Sequence, residues 1–206
     1  MRELHKALAD IGDIRQQLAA RTLFCGFGPP TVAATGLLAL VTAAAQSLWL
    51  DDFGHEPLLF LGGWVVTAIV SAAVIGIEAL TRSRRHHSSL ADAMILNAIE
   101  HFLPAGVAGA AIALVLMRFA PETLWILPGL WQVLVSLGIF ASVRFLPRTV
   151  VLAGAWYFVA GIAVLMLSSD AQAPSPWAMG IPFGVGQMLL AGILHLASGG
   201  NDDDDR

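Results

Sequence analysis

The chain has 206 residues, 57% of them hydrophobic and 13% charged, with a mean hydropathy of +0.73, well above the roughly 45–50% apolar content of a soluble domain. Its formal net charge of -4 comes from the tail Asp202, Asp203, Asp204 and Asp205 and from scattered loop acids, so no basic field for nucleic acid exists. The single cysteine, Cys25, excludes an intramolecular disulfide and any multi-cysteine zinc or iron–sulfur site.

Within residues 1–28, Leu4, Leu8, Ile11, Ile14 and Leu18 recur at helical spacing, with Lys6, Asp10, Asp13 and Arg15 on other faces. This pattern predicts an amphipathic helix too polar to span, lying on the inner membrane surface or docking a partner or a second copy of the chain. Glu3, Asp10 and Asp13 interrupt the segment and argue against a cleavable signal peptide. Pro29-Pro30 marks the turn into the membrane.

Residues 29–198 carry six apolar runs, approximately 31–50, 57–80, 91–117, 123–143, 149–167 and 177–197. Each meets the roughly 20 residues that a bilayer core of about 30 Å requires. The runs do not alternate as barrel strands do. The expected architecture is therefore all-α, a polytopic bundle of six transmembrane helices followed by an acidic tail, 199–206.

Orientation follows from the basic residues. With the N-terminus inside, Arg2, Lys6, Arg15, Arg21, Arg82, Arg84, Arg85, Arg144, Arg148 and Arg206 are all cytoplasmic and only Arg118 faces out. Trp49, Trp125 and Trp177 then fall at outer ends, where indole rings favour the headgroup layer. Both termini are predicted to be cytoplasmic. Arginine outnumbers lysine ten to one, which fits a GC-rich bacterial genome and an inner-membrane location.

Where the second run leaves the membrane, Glu78 and Arg82 stand at i, i+4 as an interfacial ion pair. Arg84, Arg85, His86 and His87 follow; they fix topology and suit anionic headgroups. Ser89 to Asp92 reads as a capping-box variant opening the third helix.

In the third run Asn97, Glu100, His101 and Pro104 share one helix face. Counted from an apolar start between Ala91 and Met94, Glu100 lies roughly 9 to 14 Å into the membrane, where a carboxylate is costly and should face the bundle interior, gain a partner or hold a proton. Such a residue suits a proton-titrating or cation-binding site with His101 as relay, or a neutral Glu100 that fixes packing through His101 or Asn97. Pro104 frees carbonyls one turn earlier, at about the level of Glu100, as the broken helices of transporters do beside bound ions.

The sixth run contains Gly180-Ile181-Pro182-Phe183-Gly184-Val185-Gly186-Gln187. Gly180 and Gly184 form a GxxxG pair that suits a tight packing seam or a contact with another copy; Pro182 and Gln187 suit a kinked helix with a polar substrate contact. Its Pro-x-Gly-Val echoes Pro104-Ala105-Gly106-Val107, as an inverted pair of three-helix repeats would, although the spans share no single offset. Gln46, Thr67, Ser71 and Gln132 are isolated polar residues of the kind that bond neighbouring helices.

A bis-histidine haem on His101 and His195 is disfavoured by their unequal depths. No cofactor or metal is predicted. No H-E-x-x-H, G-x-S-x-G or paired acid nominates a catalytic site. Leu127-Pro128-Gly129-Leu130-Trp131, Ser136 to Ser142, and Ser175 to Gly184 resemble a family of uncharacterised bacterial inner-membrane proteins over most of the chain. The resemblance implies a bacterial membrane location and carries no activity, cofactor or site residue. Two functions fit the sequence: a small proton- or cation-coupled transporter using Glu100, and a non-catalytic membrane subunit or scaffold that meets partners through the N-terminal helix or the Gly180/Gly184 face.

Overall fold

The computed structural model describes residues 28–49, 57–86, 89–143, 148–169 and 175–199. The amphipathic segment 1–27, the acidic tail 200–206 and the loop at 51–56 lie outside them, as do the side chains of Arg82, Arg84, Arg85 and Asn97. The described residues are helical and contain no strand. The elements are α1 (Pro29–Trp49), α2 (Pro57–His86), α3 (Ser89–Phe119), α4 (Leu127–Ser142), α5 (Val151–Ser168) and α6 (Pro176–Gly199), with 3-10 turns at Pro121–Ile126 and Arg148–Val150 leading into α4 and α5. Six helices, the fourth and fifth including their 3-10 turns, are long and apolar enough to cross a membrane.

The outer surface is apolar, and polar side chains are among those buried. Leu48, Ile69, Leu114, Val159, Met166 and Leu196 are exposed while Gln46, Gln132, Ser136 and Ser142 are buried. An apolar outer surface with polar side chains drawn inside suits a bilayer.

Lipid gives helices no hydrophobic reason to associate, so close approach depends on small residues and hydrogen bonds. The two largest seams meet this condition. On α1 and α6, a Cβ at Gly36 would lie 3.1 Å from the Gly184 carbonyl, and one at Gly180 would overlap Ala43. On α4 and α5, a Cβ at Gly129 would stand 2.7 Å from the Gly161 carbonyl, and one at Gly161 would stand 2.8 Å from that of Gly129. In both pairs only glycine lets the backbones come so near.

The other contacts complete a ring in the order α2, α1, α6, α5, α4, α3. The Thr42 and Thr67 hydroxyls meet at 2.7 Å and Gln46 Nε2 donates to the Phe60 carbonyl at 2.9 Å, fastening α2 to α1. Trp131 Nε1 donates to the Gly109 carbonyl at 3.1 Å, fastening α3 to α4. Among the described residues α2 and α3, consecutive in the chain, share no comparable seam. The ring is open there.

Two apolar clusters mark the ends of the bundle. Ala43, Phe60, Trp64, Ala113, Leu127 and Met179 join α1, α2, α3, α4 and α6 at the end that carries Trp49 and Trp177. At the opposite end Val32, Val150, Ala191 and Leu194 join α1, the turn before α5, and α6. Among the described residues neither α2 nor α3 contributes to this second cluster. There, the Gly28 N–H donates to Glu78 Oε2 at 3.3 Å, which places a carboxylate at the N-terminus of α1, where the helix dipole favours it.

Candidate functional site

Inside the open ring lies a cavity of about 610 Å³. Its wall includes Trp64, Thr67 and Ser71 of α2, Phe102, Gly106, Gly109 and Leu114 of α3, Trp131 and Val135 of α4, and Met179, Phe183 and Gln187 of α6. Trp64, Ala113 and Met179, which belong to the first apolar cluster, close it toward the tryptophan end. Val65 and Ile69 of α2 and Leu114 of α3 line it and are also exposed, so its mouth is the gap between those helices and faces sideways.

Among the described residues no acidic, basic or histidine side chain lines the cavity. Of its polar residues, Thr67 is about 15 Å along α2 from Pro57 and Gln187 about 17 Å along α6 from Pro176, at middle depth at 1.5 Å per residue, while Thr35 and Ser71 lie nearer the end opposite the tryptophans. The Thr67 hydroxyl is engaged, donating to the Gly63 carbonyl at 2.9 Å. Gln187 Nε2 stands 3.5 Å from the buried Tyr157 hydroxyl, whereas Gln187 Oε1 has no hydrogen-bond partner.

The tryptophans within the spans give a second unpaired group. An indole N–H in an apolar interior needs an acceptor, and two of the three have one: Trp131 Nε1 on the Gly109 carbonyl and Trp156 Nε1 on the Pro182 carbonyl at 2.9 Å. Trp64, only 4% exposed, has none at Nε1. It lines the cavity. Sequence reading passed over Trp64; an indole inside a span, away from the headgroup belt, is the signal that would have found it.

Pro182 is buried in α6. Proline lacks an N–H, so the Ala178 carbonyl, four residues earlier, has no helical donor. Gln132 Nε2, fully buried on α4, donates to it at 2.7 Å. The break in α6 is thus closed by a neighbouring helix. Gly180 and Gly184 face α1 within the same chain, and both are buried.

Glu100 stands elsewhere. Its side chain is exposed, and neither Glu100 nor His101 lines the cavity. Because α3 is continuous from Ser89 to Phe119, depth can also be counted back from Arg118 at its other end. Eighteen residues put Glu100 about 27 Å away, close to the edge of a core of about 30 Å, where a carboxylate reaches water. That differs from the interior-facing position expected from its apolar start. Pro104 is exposed, unlike Pro182, so the two prolines of the Pro-x-Gly-Val echo have different surroundings. His101 and His195 stand on α3 and α6, which share no packed seam among the described residues. Among those residues there is no group of three or more His, Cys, Asp or Glu placed to hold a metal ion.

Fold and site together give six helices long and apolar enough to cross a membrane, around a laterally open cavity with no charged side chain among the described residues of its wall. Comparison with protein families, with curated proteins and with solved structures gives no match to the chain.

Proposed function

We propose that this is a multi-pass protein of a bacterial inner membrane, with both termini cytoplasmic, that takes up a membrane-dissolved apolar molecule between α2 and α3 and holds it in the cavity. The observation that carries the reading is the cavity itself: about 610 Å³, mostly apolar, with few polar groups, and entered from the side. Binding sites for small apolar molecules have this size and lining. The excess of basic residues on one side of the six spans supports the orientation.

Coupling to protons or cations through Glu100, Asn97 and His101 has weaker support, because the Glu100 carboxylate is exposed and apart from the cavity wall. The deciding comparison uses two glycines of α3 and α2. A Cβ added at Gly106, on the wall, or at Gly62, off it, meets nothing within 4 Å. Gly106→Trp fills the cavity; Gly62→Trp does not. Native mass spectrometry of gently purified protein is expected to show an apolar molecule retained by wild type and Gly62→Trp and lost from Gly106→Trp. Identical spectra for all three reject the proposal.

A further inference from the structure

Resting on that reading of the cavity, we infer that its ligand is an uncharged amphiphile, a hydrocarbon chain or ring system carrying a single hydroxyl or carbonyl, bound through Gln187 and Trp64. An ionised headgroup brought to this depth loses its hydration, and that cost is met only by a paired opposite charge. Among the described residues the wall offers none, since no charged side chain lines it. A phosphate or carboxylate is therefore refused, whereas one neutral polar group is matched.

The match is specific. Trp64 Nε1–H is a donor without an acceptor, and Gln187 Oε1 is an acceptor without a donor. The Tyr157 hydroxyl next to Gln187 Nε2 can donate or accept, so either end of the Gln187 amide can be turned to the ligand. Both atoms are covered by their neighbours although both residues line the cavity, so a small turn of the side chain brings the indole N–H to a ligand carbonyl or hydroxyl, or the amide to a ligand hydroxyl. Besides Trp64 and Gln187 the wall includes Ile69, Leu114 and Met117, apolar surface for the hydrocarbon part. Methionine adapts to chains of irregular shape.

The experiment reconstitutes the full chain in phosphatidylcholine vesicles with one of three photoreactive probes, each carrying a diazirine in its hydrocarbon chain: octadecanol, octadecanoate at alkaline pH, and phosphatidylglycerol. Labelled peptides are mapped by mass spectrometry. Octadecanol is expected to label the wall around 102–117 and 179–187 above the lipid-facing positions Ile77 and Leu152, both exposed apolar side chains. Octadecanoate and phosphatidylglycerol are not.

Gln187→Leu is expected to lower octadecanol labelling of the wall about threefold to tenfold, the worth of one hydrogen bond, while a diazirine on plain octadecane labels Gln187→Leu as it labels wild type. That control separates loss of a head contact from loss of the fold. Equal wall labelling by all three headgroups overturns the neutral-ligand inference and leaves the cavity reading standing. Unchanged octadecanol labelling in Gln187→Leu overturns the assigned contact. If no probe labels the wall above Ile77 and Leu152, both fall, as they do where a protein partner fills the gap.

Discussion

Substituting Gln132 tests whether a side chain on one helix completes the backbone of another. Gln132→Leu removes the Nε2 donor, which lies 2.7 Å from the Ala178 carbonyl, and leaves that oxygen unpaired because residue 182 is proline. A buried acceptor without a partner costs about 1–3 kcal/mol, and interhelical hydrogen bonds in membranes average about 0.6 and reach about 1.7 kcal/mol. Part of this is returned, since Gln132 Oε1 is itself buried without a partner and leucine relieves it. The net loss is expected at about 1 kcal/mol. In a Pro182→Ala background the alanine N–H supplies the missing helical bond, and Gln132→Leu is expected to cost close to nothing. The double-mutant cycle should therefore give a coupling of about 1 kcal/mol, read from sodium dodecyl sulfate titrations of dodecyl maltoside micelles by far-ultraviolet circular dichroism. Equal cost in both backgrounds refutes the assignment of Gln132 to the Ala178 carbonyl.

Three further outcomes follow from the seams and from Glu100. Gly129→Val sets a side chain against the Gly161 carbonyl and Leu165 and is expected to destabilise by about 1–3 kcal/mol or more, whereas Gly62→Val, facing open space, should leave the same denaturation midpoint within error. Thr42→Val and Thr67→Val each break the 2.7 Å hydroxyl pair at about 0.6 kcal/mol; the double variant should cost less than the sum of the two in the same titration, and additivity would show that the pair has no energetic coupling. Glu100→Gln, at an exposed position, should shift stability by no more than about 0.5 kcal/mol and leave photolabelling of the cavity wall unchanged; a large loss in either assay would restore an interior role for the carboxylate.

The six spans are legible in the sequence because crossing a bilayer requires only length and apolarity. Their partners are not. The α1/α6 seam joins Gly36 to Gly184 and the α4/α5 seam joins Gly129 to Gly161, and nothing along the chain says which small residues will meet. Gln187 stands out as a polar residue on a broken helix, and Gln132 as an isolated amide, but the pairing of Gln132 with Pro182 needs the fold. Counted from the apolar start of α3, Glu100 lies in the interior; counting from Arg118 moves it to the edge. The cavity has no sequence signature, because it arises from a contact that two helices do not make.

Why α2 and α3 fail to close the ring can be argued from their faces. They are the least buried spans, with 17% and 11% of their apolar windows buried against 33–39% for the other four. Among the described residues the hydrogen bonds and glycine contacts of each run to one neighbour: α2 by the Thr42–Thr67 and Gln46–Phe60 bonds to α1, α3 by Trp131 and by Phe102 and Ala105 against Gly138 to α4. Around the gap, α2 offers Val65, Ala68 and Ile69, and α3 offers Gly106, Ala110 and Leu114. No hydrogen bond is recorded between these residues, and no glycine on one helix contacts the other. With lipid as apolar as the side chains themselves, such faces gain little by meeting. Hydrocarbon can occupy the gap at small cost, and a molecule already dissolved in the bilayer can replace it without breaking a seam. Selectivity then rests on the wall, where two unpaired polar groups reward a neutral headgroup and the lack of charge rejects an ionised one.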